Sequence, residues 1–237
     1  MSRQDEFYIG YDAGIPDGMR RVVRLAAIIA ITAGLAAAFV FVSQQRELAD
    51  SRFEFAHVRT FTGYLTLAPT PVLMVADGGR TTPHWLVAPG KFGAAAALGG
   101  TTNGWITLRG TLIAREAWRM IEVQPESVRP SHPTMPAPPT MPARGQPVVL
   151  RGEIVDSKCF LGVMNPGERT VHRDCATRCL SGGIPAMFAY RDAAGSHLAL
   201  LLGAAAASLR DGVGAAITLH GTLSGAEDSL VFDIGGR

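Results

Sequence analysis

Residues 25–42, LAAIIAITAGLAAAFVFV, run eighteen positions without a charge, and after them the chain turns to short alternating stretches punctuated by Gly and Pro. An α-helix over the apolar run covers about 27 Å, enough for a bilayer's hydrocarbon core. Arg20, Arg21 and Arg24 stand directly before it, and the mixed-sign run QQRELADSR follows. The positive-inside rule then places residues 1–24 in the cytoplasm and everything beyond about residue 43 outside. Two rivals are a cleaved signal peptide, since RRVVRL loosely resembles a twin-arginine signal, and a buried core helix. The long polar lead-in and the lack of a clean small-x-small cleavage site favour an uncleaved anchor. In the leader, Phe7, Tyr8 and Tyr11 form an aromatic strip among glycines. It serves either as an interfacial belt or as a docking strip for a membrane partner.

Beyond the anchor, β-branched and aromatic residues alternate in FTGYLTL, PVLMVAD, HWLVAP, GWITLRGTLIAR and WRMIEV. These read as strands, with a short helix at KFGAAAAL between the third and fourth. The order resembles an OB barrel, with a small Greek-key or SH3-like barrel as the alternative. The pattern then recurs. ITLRGTL at 106–112 matches ITLHGTL at 217–223, FGAAAAL at 92–98 matches LGAAAASL at 202–209, and PVLMVADGG at 71–79 answers PAMFAYRDAAG at 185–195. Ordered matches of this kind predict a duplicated domain. Residues 124–147, with eight of the fifteen prolines and TMPA repeated at 134 and 140, read as a semi-rigid linker. The expected architecture is mainly β: a transmembrane helix at 25–42, a first OB-like five-stranded barrel at 55–123, the Pro-rich linker, and a second OB-like barrel at 148–237.

The copies differ in one place. Gly63 to Gly110 spans 47 positions and Gly152 to Gly221 spans 69, so the second copy is 22 residues longer. The excess falls between its first strand, VVLRGEIV, and its second, PAMFAY. This insertion, 157–184, carries all three cysteines of the chain, Cys159, Cys175 and Cys179, together with His172. No helix breaker interrupts 170–180, and a helix there sets His172, Cys175 and Cys179 at i, i+3 and i+7 on one face. Cys159 can fold over that face. Two chemistries fit: a Cys3His metal site for zinc or iron, or a disulfide from Cys159 to Cys175 or Cys179 with one thiol left over. A lesion in the insertion is expected to leave the first barrel, which lacks it, untouched.

Charge excludes more than it proposes. With 22 basic and 20 acidic residues the net charge is +2, and no basic patch interleaved with aromatics marks a nucleic-acid surface. Only Lys91 and Lys158 among the basic residues are lysines. No phosphate loop, nucleophile elbow, HExxH or CxxCH occurs, so a non-catalytic role is expected.

The stretch GEIVDSKCFLGVMNPG…HRDCATRCLSGGIPAMF resembles a motif of a bacterial membrane-anchored family associated with respiratory and other redox complexes. The likeness spans roughly 40 of 237 residues, keeps Asp156, Lys158, Cys159, His172, Cys175, Cys179 and Gly182 to Pro185, and has Ala186 where a second proline is expected. The resemblance implies an accessory subunit in the bacterial inner membrane, with its barrels in the periplasm and other subunits of a redox complex as partners. The alternative is an independent periplasmic protein that handles a metal or cofactor.

Overall fold

The computed structural model describes residues 17–45, 50–77, 80–132, 145–203 and 212–235. The aromatic leader, linker residues 133–144 and most of the LGAAAASL segment lie outside the described residues. The chain forms two units, Met1–Glu47 and Leu48–Arg237.

In the first unit, helix α1 (Asp17–Gln44) extends the apolar run by about two turns before it and by two residues after it. Asp17 stands in its first turn, where a carboxylate favours the helix N-terminus, and pairs with Arg20 one turn on. None of its residues is buried, so every large apolar side chain from Val22 to Val42 stays uncovered by protein. A helix apolar on all sides needs an apolar surround, and α1 is long and apolar enough to cross a membrane.

The second unit holds two closed five-stranded barrels. The first consists of β1 (Ser51–Thr66), β2 (Val72–Asp77), β3 (Arg80–Val87), β4 (Gly104–Arg115) and β5 (Trp118–Val123), with the short helix α2 (Ala95–Leu98) before β4. Strand order is β1-β2-β3-β5-β4, closed by β1 against β4, and β3–β5 is the parallel pair. The short β6 (Arg129–Pro130) adds to β4 where the linker begins. The second barrel repeats this order with β7 (Gln146–Asp156), β8 (Ala186–Asp192), β9 (Gly195–Leu202), β10 (Ala216–Ser224) and β11 (Val231–Asp233), in which β9–β11 is parallel. This is the OB-like order expected from the sequence.

Register carries the duplication into three dimensions. Gly63 faces Ile106 across β1–β4, and the matching Gly152 faces Ile217 across β7–β10. Trp85 pairs with Met120 across the first parallel pair, and Leu200 with Val231 across the second. Both first-strand glycines sit where the backbone is crossed closely: a Cβ would meet the Met74 carbonyl at Gly63 and the Ala189 carbonyl at Gly152. One difference from the pattern is the start of β1, at Ser51 rather than Phe61. Ser51–Phe53 continue the pairing with the end of β4 past an irregularity between Phe53 and Val58, which hides the alternation.

Each barrel has its own interior. Leu73, Leu86, Leu108 and Ile121 fill the first, and Ile154, Phe188, Leu201 and Phe232 the second. A third apolar cluster belongs to both. Trp85, Ile113 and Met120 of the first barrel pack with Leu161, Met187 and Leu200 of the second. Alternation explains this: neighbouring residues on β3 (Trp85, Leu86) and β8 (Met187, Phe188) point to opposite faces, and both faces are buried. The barrels are therefore not beads on a linker. The insertion lies between them and contributes Cys159, Phe160, Leu161, Cys179 and Ile184 to the shared core.

Candidate metal centre

The site begins at the end of β7. Asp156, fully buried, turns one carboxylate oxygen onto the backbone N–H of Cys159 at 2.9 Å, capping the turn that follows. Its other oxygen lies 3.0 Å from His172 Nε2. The turn Cys159–Val163 has five-residue π geometry, closed by the Met164 N–H on the Cys159 carbonyl, and puts the Cys159 side chain inward. The chain returns through a single 3-10 turn, Thr170–His172, into helix α3 (Arg173–Ser181). The helix expected from residue 170 is thus a tight turn joined to an α-helix. Gly182 and Gly183 end it, with the Ile184 N–H bonded back to the Cys179 carbonyl.

All four anticipated residues come together, in two overlapping groups. Ligand atoms of Cys159, His172 and Cys175 lie within 4.8 Å of one another, as do those of Asp156, Cys159 and Cys179. Cys159 belongs to both. Cys159, Cys179 and His172 are buried and Cys175 is half-buried. No disulfide joins the cysteines, and all three are free thiols. A tetrahedral metal with thiolates at about 2.3 Å sets its donors roughly 3.7 Å apart, so a small contraction of the first group encloses an ion. Cys179 and Asp156 stand on the far side of Cys159 as further donors. In the tautomer whose Nε2–H donates to Asp156, Nδ1 keeps the lone pair for a metal, the usual carboxylate–histidine arrangement of metal sites. Thiolate and imidazole donors suit zinc or iron.

Two residues outside the expected ligand set complete the surroundings, and both are lysines. Lys91, in the loop after β3, donates to Cys175 Sγ at 2.8 Å and to Cys179 Sγ at 3.5 Å. Lys158, buried beside the cysteines, reaches the other way: its ammonium donates to the carbonyls of Ala88 at 2.9 Å and Gly90 at 2.7 Å and pairs with Glu122. Each barrel thus sends its one lysine into the other. The GGIP run is explained by the same contact. Gly93 N–H bonds the Gly182 carbonyl at 2.9 Å, and a Cβ at Gly182 would run into the Lys91 carbonyl. On the opposite flank, Arg115 donates to the Phe160 carbonyl at 2.8 Å with its guanidinium 4.0 Å from the centre of the Phe160 ring.

The thiols are electrostatically unequal. Cys159 donates to Cys179, and this bond, with burial and the nearby Asp156 carboxylate, pushes the Cys159 thiol far up. The same bond, aided by Lys91, lowers Cys179 to about 7 from an ordinary 9.0. The hydrogen bond to Cys175, with Cys179 close by, in turn raises Lys91. A depressed folded-state value contributes stability that is present above the ordinary thiol value and lost as pH falls through the depressed one. Metal-free protein is therefore expected to gain stability as pH rises from about 7 to 9, with a thiolate absorbance step near the lower value. Cys179→Ser should abolish that step; its persistence in the variant would assign the low value to another thiol.

Searches of family models, curated proteins and solved structures find no match to this chain.

Proposed function

We propose that this protein is a membrane-anchored accessory subunit that acts outside the cytoplasm beside a redox complex of the bacterial inner membrane, with a resident zinc or iron ion at Cys159, His172, Cys175 and Cys179. The observation that carries the metal part is the pair of donor groups, Cys159–His172–Cys175 and Asp156–Cys159–Cys179, each within 4.8 Å and sharing Cys159. The cysteines and His172 are supplied by an insertion that the first copy lacks, and the carboxylate by Asp156 at the end of β7. The anchor reading is supported by α1 and by the arginines before its apolar stretch. The respiratory association is supported by the DSKC…HRDCATRC…GGIP resemblance. In this reading the metal holds the insertion in shape, and the barrels present a fixed surface to neighbouring subunits.

A second reading, a lone protein that binds and passes on a metal, is favoured by the half-buried Cys175, which leaves the site a partly open side. One purification in mild detergent from cells carrying a C-terminal phosphatase reporter tests both. The subunit reading expects reporter activity outside the cytoplasm, about one bound metal per chain, and co-eluting redox subunits. A chain that elutes alone with exchangeable metal supports the second reading. A reporter active only in the cytoplasm overturns both.

A further inference from the structure

We propose that Lys91 is part of the metal centre, so that the site is complete only when the first barrel is docked, and an ion bound there latches the two barrels together. The inference rests on the metal reading above and adds a positioning residue from outside the insertion.

The insertion brings three cysteines together beside Asp156 at the end of β7. As ligands they carry four negative charges, of which a divalent ion offsets two. Among the described residues of the second barrel, no lysine or arginine bonds the thiols; Lys158 is turned away onto Ala88, Gly90 and Glu122. The cation that does reach them is Lys91, bonded to Cys175 and Cys179 from the first barrel. An ammonium with several donors suits this place, because it can bond two sulfurs at once while a metal uses their remaining lone pairs. Its loop is held at both ends. Lys158 grips the carbonyls of Ala88 and Gly90, and the Gly93 N–H bonds Gly182 at the end of α3. Lys91 is thus presented to the sulfurs by a segment pinned to the insertion on either side. Since a metal keeps Cys175 and Cys179 as charged acceptors, loading the site tightens the grip on residues 88–93. Reciprocally, docking of that loop raises metal affinity.

The test uses the full chain in detergent, stripped and reloaded with zinc alone, with affinity read by competition against a chromophoric chelator. Hydrogen exchange of residues 88–93 is followed with and without zinc. Lys91→Met is expected to weaken zinc binding roughly 10- to 100-fold, the usual range for loss of a group bonded to ligands, and to abolish zinc protection of the loop. Lys91→Arg should recover part of both. Phe92→Ala, which changes an exposed neighbour and leaves the ammonium, should bind as the parent does. If the parent chain binds no zinc, the metal reading itself fails. If the parent binds and Lys91→Met binds equally tightly, or zinc protects the loop in both, the metal reading stands and the latch is overturned.

Discussion

Lys158→Met is expected to lower the stability of the barrel pair by about 3–5 kcal/mol, the usual cost of removing one partner from a buried ion pair. The side chain of Lys158 is 4% exposed, and its ammonium serves the Ala88 and Gly90 carbonyls and the Glu122 carboxylate. Met fills nearly the same space, so the loss isolates charge and hydrogen bonding from packing. What remains is a carboxylate and two carbonyls without their donor. The side chain of Glu122 is 19% exposed, so water recovers some of its solvation and the lower half of the range is the better expectation. Urea unfolding of the full chain in detergent measures the change. Adding Glu122→Gln to Lys158→Met should restore part of the stability, because the stranded charge is gone, and the double-mutant cycle reads the coupling directly. A loss below about 1 kcal/mol with no recovery in the double variant would mean the pair is solvated in solution.

The second large effect lies in the shared core. Leu161 is fully buried among side chains of both barrels, so Leu161→Ala combines lost transfer energy with a cavity, about 2–5 kcal/mol. The informative part is where the loss appears. All three tryptophans, Trp85, Trp105 and Trp118, belong to the first barrel, whereas Leu161 belongs to the insertion of the second. Trp85 and Trp118 stack at 6.0 Å inside the same shared cluster. A shared core predicts that tryptophan fluorescence and far-UV circular dichroism shift to one common, lower midpoint. Independent barrels predict an unmoved fluorescence transition. The expectation from chain order, that lesions in the insertion spare the first barrel, is therefore replaced by joint unfolding.

Much of this molecule is legible along the chain because the relevant physics is local. Eighteen uncharged positions preceded by arginines announce a membrane-length helix, and α1 contains them all. Alternation within PVLMVAD and HWLVAP reflects the pleat, and turn residues bound each strand, so β2 and β3 fall close to where the pattern sets them. The duplication follows from a constant offset of 111 in the fourth and fifth strands, which the register of both barrels preserves. The grouping of Cys159, His172, Cys175 and Cys179 follows from helical spacing and a loop long enough to return.

What tertiary structure alone decided is the relation between the two barrels. A Pro-rich stretch looks like a separator because composition reports backbone stiffness, not which surfaces meet. Nothing local distinguishes Trp85, which faces the second barrel, from Leu86, which faces its own interior, since both are apolar and adjacent. Asp156 was visible as a neighbour of Cys159 but not as the group that caps its turn and orients His172. Lys91, 84 positions from Cys175, carried a single signal, its rarity: one of two lysines in a chain of 22 basic residues. Rarity names no partner. A hydrogen bond between residues far apart in sequence exists only once the packing of the shared core has brought their elements together, and that packing depends on shape and burial summed over both domains.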